Sequence, residues 1–315
     1  MNAWQIGESI LNSFQTWLTE TGGLVLILEA SAAVFIAYLI RQRGRLIWPK
    51  VAFESSFANV LIMLVNGAFA PAVAFVMGYV QRVHGWLPLP TLDDAVWQGV
   101  SPWIVIPLIL LAVDFADYWN HRLMHVSRWL WPIHAIHHSD PHPTVLTSGR
   151  VHFLETVVMQ MSYLILLTWL SLPYEVLGGV ASLRVLHNMY THINVDWDHG
   201  PFKYLIASPR YHRWHHADVP AAYGRNLANV FPFYDVIFGT YYVPGPCDVP
   251  VGAQGVPTTA LSMTAWPIQA WNALLEHSAS FKPATKLDSQ SATTDEASDS
   301  SRKAGHETPV ALGTV

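Results

Sequence analysis

Three histidine blocks set the chemistry open to this chain: His121-Arg-Leu-Met-His125, His134-Ala-Ile-His137-His138 and His212-Arg-Trp-His215-His216. On a helix, residues i, i+3 and i+4 share a face, so each block presents two or three imidazoles in one direction. A neutral imidazole ligates iron, zinc, copper or nickel. Eight of them exceed what one tetrahedral zinc can use, and the number points to two metals side by side. A lone histidine is ordinarily a surface or satisfied core residue; His84, His277 and His306 are read that way, and His142 and His199 as loop residues. The single cysteine, Cys247, excludes a disulfide framework and any Cys-ligated zinc or iron–sulfur site.

Such blocks need rigid elements to aim them, and the composition says where those elements lie. Of 315 residues only 12% are charged and 51% are hydrophobic, against about 25% charged in a typical globular domain. The mean hydropathy is +0.26 and the net charge −5. These values exclude a cytosolic enzyme, a disordered regulator and an electrostatic nucleic-acid binder, so no nucleic acid is expected as partner. The expected fold is all-α: a polytopic membrane helix bundle with a cytosolic histidine-rich helical cap. Residues 57–80 carry no charge and 22–40 only Glu29, each long enough to span about 30 Å of hydrocarbon. A third apolar run begins near Trp97, and its helical pattern continues through Asp114, Asp117 and His121, so its far end must leave the lipid. Residues 156–183 are too long for one span and are broken by Ser171-Leu-Pro-Tyr174. They predict a hairpin of helices at roughly 152–171 and 175–192, turning at Pro173.

Lys/Arg placement gives the orientation. The first 40 residues hold none, which also argues against a basic signal-peptide n-region. Arg41, Arg43, Arg45 and Lys50 follow the first span, the 81–101 connection has only Arg82, and both histidine-bearing segments are basic. The N-terminus is therefore expected outside and both histidine segments in the cytosol. The expected organisation is an amphipathic segment at 1–21, membrane helices over 22–113 and a catalytic region at 114–245 that contains the hairpin. An interfacial segment at 246–280 and a disordered tail at 281–315 complete it.

Longer stretches carry a resemblance. Asp114-Phe-Ala-Asp-Tyr-Trp-Asn-His-Arg-Leu-Met-His125 is followed by Leu130-Trp-Pro-Ile-His-Ala-Ile-His-His-Ser139 and by Thr147-Ser-Gly-Arg-Val-His152 leading to Glu155. His192-Ile-Asn194, Ser208-Pro-Arg-Tyr-His-Arg-Trp-His-His216 and Asp235-Val-Ile-Phe-Gly-Thr-Tyr241 complete the series. In order, spacing and flanking residues the region from Asp114 to Tyr242 resembles the fatty acid hydroxylase / sterol desaturase superfamily of membrane di-iron oxygenases. The resemblance implies two iron ions, O2 as co-substrate, and hydroxylation or desaturation of a C–H bond in a sterol, fatty acyl or related lipid. It adds His192 to the eight block histidines as a metal ligand. His187 is a further candidate, although five residues place it about 140° from His192 on an ideal helix. Asn188 shares the face of His192. Asp114 and Asp117 are the expected catalytic carboxylates, with Asp117 one turn before His121 and able to accept the N–H of its imidazole. His152, Glu155, Thr144 and Asn188 are weaker candidates for ligand support or substrate contact; many members of the superfamily have asparagine where this chain has Thr144.

The chain has no Gly-x-Gly-x-x-Gly, no Cys-ligated cluster and no His-Pro-Gly-Gly. Electrons must then come from an external donor, a reductase with a ferredoxin or cytochrome b5-like carrier, while the lipid substrate enters from the bilayer. A histidine-rich metal transporter or sensor is the competing reading. Transporters gather polar ligands near the bilayer midplane on paired repeats, whereas these histidines cluster at helix ends and no repeat is visible. A membrane zinc hydrolase would call for His-Glu-x-x-His, which is absent.

Overall fold

The computed structural model describes residues 50–87, 91–171 and 174–280. The amphipathic segment at 1–21, the span at 22–40, Pro173 and the tail at 281–315 lie outside the described residues. Among the described residues the chain is helical without strands; one isolated bridge joins Ala217 and Val251. Two helices among the described residues are long and apolar enough to cross a membrane, Phe53–Gly85 and Ile104–Val126.

Helix α1 is Lys50–Gly85 and helix α2 is Pro102–Val126. The apolar run expected from Trp97 does not start as one helix. A separate 3-10 turn, Asp94–Trp97, is capped by the Asp93 side chain, and Gly99 then takes a left-handed φ of 75°. Pro102 begins α2, where its missing N–H costs nothing. Helix α3, Trp131–His138, has Pro132 in its first turn and buries seven of its eight residues. A 3-10 turn at Val145–Gly149 follows, closed by a reciprocal box between Thr144 and Thr147.

Two helices occupy the stretch expected to form the hairpin, α4, Phe153–Leu170, and α5, Tyr174–Thr191. Its tip is tied to the connection before α2: Leu92 N donates to Trp169 O, Trp97 Nε1 to Leu170 O and Ser171 Oγ to Leu92 O. Val105, Ile109 and Val113 of α2 pack with Val180 of α5 and with Leu166 and Leu170 of α4. Helices α2, α4 and α5 therefore share one set of ends at the hairpin tip, and α2 carries His121 and His125 at its other end.

Short elements finish the histidine end. Helix α6, Pro209–His215, is capped by Ser208, whose side chain accepts from Tyr211 N. Helix α7, Phe233–Phe238, stops at Gly239, in the left-handed conformation at φ 73°. Helix α8, Ala260–Ser280, occupies the expected interfacial segment; its Ala260 and Met263 pack with Ile62 of α1 and Ile136 of α3. A buried polar network clamps α1 to α3. Arg150, fully buried, donates to Asn59 Oδ1, Ile136 O and Ser139 Oγ. Asp140 accepts from Asn59 Nδ2, Thr147 Oγ1 and Ser55. Burial alone would raise Asp140, but those hydrogen bonds and the Arg150 charge hold it below the usual carboxylate range.

Candidate metal centre

The helices deliver nine imidazoles to one place in two groups. His121, His125, His134, His138 and His215 form the first, and His137, His192, His212 and His216 the second; within each group the ligand atoms all lie within 4.8 Å of one another. The groups abut, since the rings of His138 and His216 are 4.5 Å apart and those of His137 and His216 4.7 Å. Helix α2 supplies His121 and His125 one turn apart. Helix α3 sends His134 and His138 to one group and His137, on the adjoining face, to the other. Helix α6 is divided likewise, with His215 in the first group and His212 in the second, joined by its cap residue His216.

Hydrogen bonds behind the rings decide which nitrogen faces inward. A carbonyl only accepts, so His121 Nδ1 donates to Leu227 O at 2.7 Å, His215 Nδ1 to Arg225 O at 2.8 Å and His192 Nδ1 to Asn188 O at 2.7 Å. His134 Nδ1 lies 2.9 Å from Glu155 Oε1. Each of these neutral rings then presents Nε2 as a bare lone pair. His121 Nε2 and His134 Nε2 face each other at 2.9 Å, and His215 Nε2 is buried without a partner. In the second group Nε2 of His192 lies 3.2 Å from that of His137 and 3.0 Å from that of His212. Converging lone pairs repel in a buried site unless a cation sits among them. The donor sets therefore fit metal ions, and all-imidazole nitrogen suits a transition metal.

Burial, followed by neighbouring imidazoles, pushes His137, His138, His212 and His216 well below the usual histidine range, and burial alone takes His192 down to about 4. The rings are held neutral, the form that ligates a metal.

Not every candidate joins the cluster. His187 belongs to neither group. The 140° offset from His192 persists because α5 runs as an uninterrupted α-helix to Thr191. Asp117 is not the acceptor for His121: it pairs with Arg184 of α5, and the imidazole turns to Leu227 O instead. Asp114 reaches no imidazole either; its carboxylate accepts the backbone N–H groups of Asn229, Val230 and Phe231 at 2.7–3.1 Å. His152 Nε2 meets Thr264 O, and Thr144 caps the 145–149 turn. Asn188 acts on His192 through its backbone carbonyl.

Residues that the sequence reading passed over hold this arrangement. Asn226 adopts a left-handed φ of 56°. Its side chain donates to Tyr211 O and Tyr242 O and accepts from Tyr242 N. That fixes residues 225–227, whose carbonyls orient His215 and His121. An asparagine is among the few residues that tolerate this backbone, and that chemistry was the available signal. Asp235, inside the quoted Asp235–Tyr241 stretch, accepts from Leu227 N, Ala228 N, Thr240 Oγ1 and Tyr211 OH. Beside the first group lies a cavity of about 310 Å³. Its lining includes His125, His138, His215 and His216, the apolar side chains of Trp131, Val256 and Trp266, and the polar Asp218 and Gln254.

The family model for fatty acid hydroxylases matches residues 106–240. Methylsterol monooxygenase 1-3 of Arabidopsis thaliana is 30% identical over 236 residues, 69% of this chain and 76% of that protein. Ornithine lipid hydroxylase OlsE of Rhizobium tropici is 33% identical over 151 residues, 48% of this chain and 46% of that protein. Alkylglycerol monooxygenase of Danio rerio is 30% identical over 147 residues, 46% of this chain and 31% of that protein. The chain thus spans about half of the ornithine lipid hydroxylase and under a third of the alkylglycerol monooxygenase. No solved structure matches.

Proposed function

Since the chain belongs to the fatty acid hydroxylase family, we propose that it is a membrane-embedded, O2-dependent lipid hydroxylase whose nine clustered imidazoles hold two iron ions. The observation that carries this reading is the convergence of nine imidazoles in two abutting groups, four of them turned Nε2-inward by a carbonyl or carboxylate behind the ring. Relatives named as hydroxylases and monooxygenases of lipids support the reaction class. Hydroxylation places one oxygen atom of O2 into a C–H bond and releases the other as water, consuming two electrons and two protons. Iron bound there would supply the O2 chemistry that no side chain can perform.

The chain's own groups do the rest. Leu227 O, Arg225 O, Asn188 O and Glu155 hold four imidazoles in the tautomer that points Nε2 inward. Burial keeps the site dry. The aromatic walls at Trp131 and Trp266 and the cavity beside the first group give an acyl or sterol segment an apolar place against the imidazoles. We read α1, α2 and the α4–α5 hairpin as a membrane bundle with the metal centre at its cytosolic ends, as the Lys/Arg bias favours. Electrons would come from an external carrier protein.

The test is metal and lipid analysis together. Membranes expressing the chain should yield protein with two irons per chain and lipids carrying a new hydroxyl that requires O2. Stoichiometric zinc in place of iron, or an unchanged lipid profile with iron, O2 and a working donor present, would refute the assignment.

A further inference from the structure

The hairpin supplies a depth scale for the rest of the molecule. Each arm has 18 residues, a rise of about 27 Å, close to the ~30 Å of a bilayer core. Its tip is bonded to the connection just before α2, so the same rise along α2 from Pro102 ends near Asn120. The stretch from Leu111 to Trp119 then lies at lipid depth, and residues from the histidine end are packed against it. Tyr234 OH donates to Leu111 O at 2.9 Å. The Phe115 ring meets Tyr234 at 5.6 Å and Phe238 at 6.3 Å, and Trp119 meets Phe238 at 5.0 Å.

The outer face of this attachment is apolar. Ile237 is 66% exposed and Val236 50%. Ala207 N donates to Val230 O, which sets the 202–206 segment alongside, where Phe202 is 60% and Leu205 52% exposed. Across 200–207 and 227–242 the only charged residues are Lys203 and Asp235, and Asp235 is buried. Backbone placed in lipid must have its polar groups satisfied internally, and two buried carboxylates do this for five consecutive N–H groups. Asp114 takes three consecutive N–H groups, 229–231, and Asp235 takes those of 227 and 228. This gives the fully buried Asp114 a function that ligand support does not.

The geometry points to a membrane wedge: residues 200–206 and 230–238 dip into the leaflet on the metal side and seat the centre against the bilayer. The surface continues the lipid-facing side of α2, where Phe115, Trp119 and Leu123 are also exposed, so the occupant is the bilayer. This inference rests on the reading that the long helices cross the membrane.

Single cysteines replacing Leu64, Leu205, Ile237 and Asp248 test it in the full-length protein, whose own Cys247 is buried. Each carries a nitroxide in vesicles of phosphatidylcholine and phosphatidylglycerol, and collisions with O2 and with a water-soluble nickel chelate are compared. Positions 64, 205 and 237 should favour O2 and lose the chelate collisions seen at 248. If 64 is shielded while 205 and 237 behave like 248, the wedge is overturned and the patch faces water, as a docking site for a protein would. If 64 is also open to the chelate, the spanning reading falls and the wedge with it.

Discussion

His121 on α2 donates its Nδ1 proton to the carbonyl of Leu227, 2.7 Å away and 106 residues later in the chain. Two residues earlier, the Arg225 carbonyl does the same for His215 of α6. One turn of chain, held by Asn226, therefore sets the tautomer of two imidazoles that reach the first group from different helices. Asn226→Ala should weaken metal at that group by about 10–100-fold, the usual effect of losing a group that orients a ligand. Competition with a chelator measures it, and unchanged affinity would remove Asn226 from this role.

The two groups should lose metal separately. His215→Ala opens the first and His192→Ala the second, so each variant should keep one metal per chain and lose turnover. Metal content by elemental analysis decides: loss of both metals from either variant means one coupled centre rather than two sites.

His187 provides the contrast. It lies outside both groups, so His187→Ala should retain the full metal content of the parent protein. A fall in metal equal to that of His192→Ala would place it among the ligands after all.

Acid should act on the metal-free protein in a defined direction. His137, His138, His212 and His216 are held well below their ordinary value by burial. The unfolded chain takes up protons below about pH 6.5 that the folded chain does not. Stability is thus fully present above that pH and is lost as the pH falls below it. The unfolding midpoint of metal-free protein should decline through that window, and a flat profile would contradict the burial.

Arg150→Met should be costly away from the metals. It strips a donor from Asn59 Oδ1, Ile136 O and Ser139 Oγ in a site with no water access. A buried group left unpaired costs about 1–3 kcal/mol, so a drop of several degrees in thermal midpoint is expected. Its absence would show that α1 and α3 are held by other contacts.

The sequence by itself determined which imidazoles could act together and the helical frame that carries them. Imidazoles at i, i+3 and i+4 must share a helix face, and uncharged runs of about 20 residues must be buried or in lipid. Helices at 153–170 and 174–191 lie within a residue or so of the two arms expected from the length of that apolar run and its break at Ser171–Tyr174. Local spacing could not assign His134 and His137 to different groups, because that depends on what stands opposite each face of α3. It could not find the acceptor of His121 either. Asp117 is its neighbour along the helix, but the aspartate is drawn to Arg184 on α5. Leu227 O becomes its partner only when the chain folds back across α2. A backbone carbonyl leaves no trace in residue type, so which carbonyl orients which imidazole is a property of the tertiary structure alone.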